Sequence, residues 1–578
     1  MASTGGAITI KVKAGGKDYD NPGVLALSIT HQANSISFAE LVLIDGDLAK
    51  REFKLSSDPN FAPGKELELQ LGHGPDDAAP VFKGIIVRHK IKARSNGGSS
   101  LVLEIKHAAV KMSHIRKSRH FLEKKDGDII ETLISDNGCT ADVSSEFDTE
   151  HERMIQYNLT DWDFMVLRAE ANGMLVYTDD DKVVVAKPKV TESGAPKATF
   201  GDNIFEFEIE SESRDQFKAG SAISWDHSTQ ELVEASAAAA SEVTEAGKPT
   251  ASEMAESLSE GEFRLRHAGE LADTELIAWS SGKLQRSLLS KLRGRVQLHG
   301  DATPKPGGTL VLDGLGTSFN GAVFIAAVRH HVQGGHWLSD VEIGISEESH
   351  LMLHPEVMEA PAGGLLGPMR GLQIGVVKEI KDDPAGFFRV QVKMPMVDDT
   401  EDGIWCRVAR PDAGASHTLF FQPAVGDEVV LGFLNEDPRH AIVLGALHNN
   451  DANKPPIEDN DEYKKTGIVT AEGLKLTFND EDKSVILETP AGKIITVDEK
   501  EGLIRLEDEN SNIIEMSKDG ITIESGKDLK IKATGDITIE GMNIEQSASA
   551  QFKAEGTAGL EVSSSATAVL KGALVQIN

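Results

Sequence analysis

Three histidines, His330, His331 and His336, stand close together in the chain. A metal centre needs three or four ligands converging on one point. Neighbouring residues of a strand point to opposite faces, so at most one of His330 and His331 can join His336. The spacing reads as strand and hairpin histidines, and no metal is expected. The run DDTEDG at 398–403 begins like a calcium loop, but Ala409 stands where the bidentate Glu belongs, so a solvated turn is expected. Neither a G-x-S-x-G element nor a phosphate-binding loop occurs. The two cysteines, Cys139 and Cys406, make no disulfide framework and read as small hydrophobes. No catalytic residue and no cofactor are expected.

Charge narrows the partners. Asp and Glu number 92 against 59 Lys and Arg, a net charge of −33. Carboxylate pairs are therefore everywhere, and a pair by itself carries no meaning. Such an acidic chain is poorly suited to phosphate backbones or anionic lipid, so no nucleic-acid partner is expected. The start, MASTGGAITI, lacks the basic segment and apolar core of a signal peptide, and no apolar run approaches ~18 residues. The expectation is a protein made in the cytoplasm and carried outward, if at all, by a machine.

The elements that could position any site are mostly strands. Residues 1–120 alternate apolar and polar in short runs such as FAELVLIDG and ELELQLGHG, an antiparallel β domain. An α/β segment spans 121–195: DGDIIETLISDNG has Ile129, Ile130, Leu133 and Ile134 at helical spacing, with Gly138 as its stop. Thr160 and Asp163 form a capping-box pattern, and Trp162, Met165, Val166 and Ala169 share a face of a second helix. A second β domain covers 196–360, with the Ala-, Ser- and Glu-rich stretch 231–262 read as a linker or insertion. Five or six short strands at 366–448, including HTLFFQP, suit a small barrel of the OB type. A polar linker at 449–466 leads to 467–578, where almost only strands and corners follow.

Within that last region, Ile521 and Ile523 recur as Leu529 and Ile531 and again as Ile537 and Ile539. Eight residues make one strand and one corner, which cannot bury its own apolar face, so the repeat must stack. Either one chain winds as a solenoid, or three chains intertwine as a prism with these six residues as its core. Periodicity leaves both open. The chain ends GALVQIN without an amphipathic cap, which favours the three-chain prism with its tip covered by another protein.

The barrel segment carries a recognisable pattern. Trp405, Arg407, Pro423, Gly426, Asp427, Phe433, Asp437, Pro438 and Gly445 resemble the OB-fold module of VgrG and related spike proteins. Glu436 replaces a usual Gly, and His440-Ala441 a usual Pro. DWDFMVLRAEANGMLVY, from Asp161 to Tyr177, resembles a stretch of the same family's hub region. The resemblance implies a mainly β chain: two hub β-barrel-like domains with an α/β insertion, an OB barrel, and a C-terminal intertwined triple-stranded β-helix. It further implies a homotrimeric, non-enzymatic spike of a contractile injection system of the phage-tail, type VI or extracellular-particle kind. Its partners would be the hexameric inner tube, the baseplate, a PAAR-type tip protein docking on Val575, Gln576, Ile577 and Asn578, and transiently a target membrane. The short linker leaves no room for a lysozyme domain before the repeat. The reading from another class is a β-helical tailspike that degrades polysaccharide, which would need acidic residues converging on a groove; the repeat shows no fixed acidic column.

Overall fold

The computed structural model describes residues 8–74, 77–94, 97–258, 261–398, 400, 403–449, 453–457 and 462–577. The chain forms two compact units, one of Met1–Arg370 with Leu434–Pro438 and one of Gly371–Phe433 with Arg439–Asn578.

The first unit is built on two runs of five strands. The first run is β1 (Val24–Gln32), β2 (Phe38–Ile44), β3 (Glu66–Gly72), β4 (Ala79–Arg94) and β5 (Gly97–Lys106). The second is β6 (Ile204–Ser211), β7 (Leu292–His299), β8 (Thr309–Asp313), β9 (Gly321–Gln333) and β10 (His336–Ile343). Alternation sets their faces: Ala39, Leu41 and Leu43 of β2 are buried while Glu40 points outward. Leu27, Ile29, Leu69, Leu101 and Leu103 complete the core of the first run; Val296, Leu310, Ile325, Val341 and Ile343 form that of the second.

The two runs have the same topology. The first is ordered β1-β2-β5-β4-β3 and the second β6-β7-β10-β9-β8, every pair antiparallel. Their irregularities coincide as well. The register shifts between Val24 and Ala26 in β1 and between Ile204 and Glu206 in β6. It shifts between Ile86 and Arg88 in β4 and between Ile325 and Ala327 in β9. Bulges are specific features of a strand, so coincident ones mark a structural repeat. The two β domains expected at 1–120 and 196–360 share one sheet, because β1 pairs with the second half of β9, from Ala26↔Gln333 to Gln32↔Ala327.

Between the runs lie helices α1 (Asp126–Asp136) and α2 (Asp161–Ala171). Ile129, Ile130, Leu133 and Ile134 of α1 pack with Trp162, Met165, Val166 and Ala169 of α2. The Thr160 hydroxyl accepts a bond from the Asp163 amide at 3.0 Å, capping α2. The stretch 231–262 is not a structureless linker. It holds a strand, Glu231–Ser236, and helix α3 (Ala251–Leu258), and Ala246, Ala251, Met254 and Ala255 are buried. Small residues bury little area each, and a composition without aromatic residues hid this packing. A further helix, α4 (Asp273–Leu289), was not anticipated; its buried face of Leu276, Ser280, Gly282, Ser287 and Leu289 is mostly small or hydroxylated.

In the second unit, β11 (Gln373–Glu379), β12 (Val390–Lys393), β13 (Ile404–Val408), β14 (Glu428–Phe433) and β15 (Ala441–Leu447) close a barrel in the order β11-β12-β13-β15-β14. Val377, Val390, Val392, Cys406, Val429, Leu431 and Val443 fill it. HTLFFQP is a loop rather than a sixth strand; Leu419, Phe420 and Phe421 are exposed, and one bridge joins Ala413 to Thr418. The chain then forms a seven-stranded antiparallel meander: β16 (Lys465–Val469), β17 (Lys475–Asn479), β18 (Ser484–Glu488), β19 (Ile494–Asp498), β20 (Leu503–Glu507), β21 (Ile513–Ser517) and β22 (Gly520–Glu524). Strand pairing ends at Glu524, and residues 525–577 run without strand partners in the single chain. An arm of octads has no neighbour in its own chain with which to pair.

Candidate assembly surface

The meander is built from five-residue strands, and from β17 to β22 each has an apolar residue at its second and fourth positions. Register aligns these positions into two ladders. One runs Leu476–Leu487–Ile495–Leu506–Ile514–Ile523, the other Phe478–Val485–Val497–Ile504–Met516–Ile521. Strands stand about 4.8 Å apart, so the six strands β17 to β22 carry the ladders over roughly 24 Å. From Val485 to Met516 every ladder side chain is 38–46% exposed. The opposite face mixes Ile486, Ile494, Leu503 and Ile513 with Thr496 and Arg505, whose guanidinium bonds Glu507 and Glu515. A sheet this long with one continuous apolar face uncovered is a surface built to be covered.

The expected prism residues fall at the end of these ladders and beyond them. Ile521 and Ile523 lie on β22 as the last rungs; Leu529, Ile531, Ile537 and Ile539 lie past the final strand. All six are 53–70% exposed in the single chain, so no core forms around them within one copy. Of the expected docking residues, Val575, Gln576 and Ile577 are exposed, and Asn578 lies outside the described residues.

The barrel motif residues are spread over strands and turns rather than gathered at one point. Half-buried Trp405 pairs with Gln391, and exposed Arg407 pairs with Ile442. Pro423, Gly426 and Asp427 make the turn into β14: the Asp427 carboxylate accepts from the Ala424 amide at 2.8 Å, the Gly426 amide donates to the Val377 carbonyl, and the Val377 amide donates to the Asp427 carbonyl. Phe433 ends β14, Asp437 is buried beside Pro438, and Gly445 pairs with Val430 at a bulge. These are positions that shape a barrel. Burial pushes the Cys406 thiol up to about 12, so it is not a nucleophile near neutrality.

The second motif converges on α2, where its charged residues hold the α/β segment together. The buried Asp161 carboxylate accepts from Lys117, Arg119, Asn137 and Gln156. Arg168 forks onto buried Asp126 at 2.7 and 2.8 Å and reaches Glu275 on α4. Glu170 accepts from Arg286, Asn34 and the His350 amide. Gly173, at φ +68°, lies against Gly282 of α4, where a Cβ on either would meet backbone at about 3 Å.

The histidines occupy strand positions. His330 is buried against Ser339 and Trp337, His331 faces Asp340 from the other side, and His336 is exposed. Among the described residues, Asp226, His227 and Glu270 are the one group whose ligand atoms cluster. They sit at an exposed hairpin end, where Asp226 already accepts from the Ser228 amide and hydroxyl. Sequence reasoning did not single them out, and three exposed groups at a turn fall short of a closed ligand set. No helix of the described residues is long and apolar enough to cross a membrane.

Two family models match the chain. One, described as the Alg8 N-terminal domain, matches residues 4–334; the other, the type VI secretion system/phage-baseplate injector OB domain, matches residues 373–448. No curated protein matches. Among solved structures, the 43 kDa tail protein of prophage MuSo2 from Shewanella oneidensis is 14% identical, with 59% of this chain and 99% of that one covered and a TM-score of 0.45. A tail protein from Neisseria meningitidis is 13% identical, with 58% and 96% covered and a TM-score of 0.43. The Escherichia coli c3393 protein, a component of the type VI secretion system, is 13% identical, with 76% and 100% covered and a TM-score of 0.39.

Proposed function

The chain belongs to the Alg8 N-terminal domain family, and from that premise we propose that it is the non-enzymatic central spike of a contractile injection system, working as a homotrimer. The observation that carries this reading is the pair of apolar ladders on the meander, uncovered over six strands. The injector OB domain immediately before them supports it. Three copies would bring three such faces together around an axis. Full burial of a Val, Leu or Ile is worth ~1.5–3 kcal/mol, so covering the remaining exposed part is worth roughly 0.6–1.2 kcal/mol per side chain.

The exposed octads from Leu529 onward would then pair between chains, forming the shaft of an intertwined triple-stranded β-helix with Ile521, Ile523, Leu529, Ile531, Ile537 and Ile539 inside. Val575 to Asn578 would dock a PAAR-type tip protein, and the hub would meet the inner tube and baseplate. The work comes from a contracting sheath, and the spike focuses it on a target membrane. The reading is tested by Ile504→Asp, which places a carboxylate in the middle of one ladder. The variant should lose trimer and SDS resistance, whereas Thr496→Asp on the opposite face should keep both. Equal behaviour of the two variants would remove the basis of this reading.

A further inference from the structure

A cavity of about 160 Å³ opens inside the first unit, where three parts of the chain meet. Strands β1 and β9 supply His31 and His330, whose rings lie edge to face with centroids 6.4 Å apart. The hairpin of strands Leu175–Asp179 and Lys182–Ala186 supplies Tyr177, Asp179 and Asp180, and the loop before β8 supplies Lys305. None of these residues takes part in the apolar ladders or the barrel motif.

Several polar groups around the cavity satisfy one another. The Val81 carbonyl can only accept, so the His31 Nε2 that it meets at 2.9 Å carries the ring proton. His31 Nδ1 then accepts from the Ser37 hydroxyl at 3.1 Å, and Ser37 accepts from the Thr178 hydroxyl at 2.6 Å. Two groups are left over. The Trp337 indole N–H can only donate, and it lies 3.4 Å from His330 Nδ1, so that nitrogen accepts and His330 carries its proton on Nε2. Among the described residues this Nε2–H has no partner. The Tyr177 hydroxyl is buried and has no partner among them either. Burial holds its pKa well above the usual phenol value, so it keeps its proton to donate. An orphaned buried hydroxyl costs stability that a phenylalanine would not, and such groups are rare in folded chains. The buried end of the cavity thus offers two unused donors.

The exposed end has the opposite character. Asp179 accepts from Lys305 at 2.9 and 3.1 Å, and the exposed Asp180 brings a second carboxylate. A ligand that fits must accept at its inner end and donate at its outer end, and hydroxyl groups do both. It must also be neutral. An anion would be buried against a neutral imidazole and a phenol with carboxylates behind it, and a cation would meet only donors inside. Pro80, Pro304 and Pro306 give the walls apolar faces. A cavity of this size holds about one six-membered ring.

We propose that this cavity binds one neutral sugar ring, with inner hydroxyl oxygens accepting from His330 and Tyr177 and outer hydroxyls donating to Asp179 and Asp180. The C–H faces of the ring lie against the prolines. A free monosaccharide and the terminal ring of a glycan present the same chemistry here. The site is complete within one copy, so it does not rest on the spike reading and neither one falls with the other.

Saturation-transfer NMR on the full chain tests the site. The probes are glucose, galactose, mannose and N-acetylglucosamine as free sugars, lactose, maltose and chitobiose as short glycans, and acetate and ethylammonium as charged controls. At least one sugar should bind, and neither control should. Tighter binding of a disaccharide than of its single rings assigns the end of a glycan; binding of single rings alone assigns a free sugar. Tyr177→Phe removes only the orphaned hydroxyl. It should weaken sugar binding roughly five- to tenfold, the worth of one hydrogen bond, while the melting temperature stays level or rises. Failure of every sugar to bind, equal or stronger binding of acetate or ethylammonium, or unchanged sugar binding by Tyr177→Phe overturns the site. Weaker binding with a lowered melting temperature marks the hydroxyl as a structural group and overturns it as well.

Discussion

The buried charges around α2 show how single residues hold this fold. Asp126 lies out of water with its carboxylate shared by Arg168, His151 and Asn172. Removing a partner leaves an uncompensated charge. Arg168→Met should therefore cost about 3–5 kcal/mol, read by chemical denaturation of the full chain. Burial works in the opposite sense on two histidines. It pushes His107 down to about 4 and His330 to about 3 from an ordinary 6.5, so both fold as neutral rings. Their folded pKa values lie below the unfolded one. Above pH 6.5 neither state binds the proton, and stability is untouched. As pH falls below 6.5 the unfolded chain takes up protons that the folded chain refuses, so the melting temperature should fall between pH 6.5 and about 4. A melting temperature flat across that window would contradict the neutral, buried assignment.

At the scale of elements, the barrel depends on turns as much as on its valines. Gly403 sits at φ +94°, and a Cβ there would lie 1.9 Å from the Val392 carbonyl oxygen. Gly403→Ala should destabilise the barrel by more than about 1 kcal/mol, because the residue meets both a backbone clash and a disfavoured dihedral. Gly426→Ala, with open space around it, should be milder despite φ +95°; the difference in denaturation midpoint measures the clash separately from the dihedral. The helices α1 and α2 were legible in sequence because Ile129, Ile130, Leu133 and Ile134, and then Trp162, Met165 and Val166, are large and periodic. Helix α4 was not, because its inward face uses Ser280, Gly282 and Ser287. Such residues pack by close approach, as Gly282 does against Gly173, and leave little hydrophobic signal.

At the scale of the whole molecule, most strands were legible from alternation, and the octads from their period. Two features were not. The shared sheet depends on the β1–β9 joint, which brings Ala26–Gln32 against Ala327–Gln333 across some 300 positions, and no local pattern encodes such a pairing. The internal repeat was hidden for the same reason: topology and bulge positions are common to the two halves, while their residues differ, as Ala26 and Thr30 against Glu206 and Glu210. The expected site residues divide in the same way. The barrel motif marks turns and strand ends of one chain, whereas Ile521, Ile523, Leu529, Ile531, Ile537 and Ile539 are exposed and have no core around them within one copy.

The central claim is that a single copy is incomplete. Light scattering of the purified full chain tests it most directly. The account predicts a particle of three times 62.2 kDa, with Leu506→Asp in the ladder shifting it toward one-chain mass. A wild-type chain that scatters as a stable, soluble single copy of 62.2 kDa, with its apolar ladders still facing water, would contradict it.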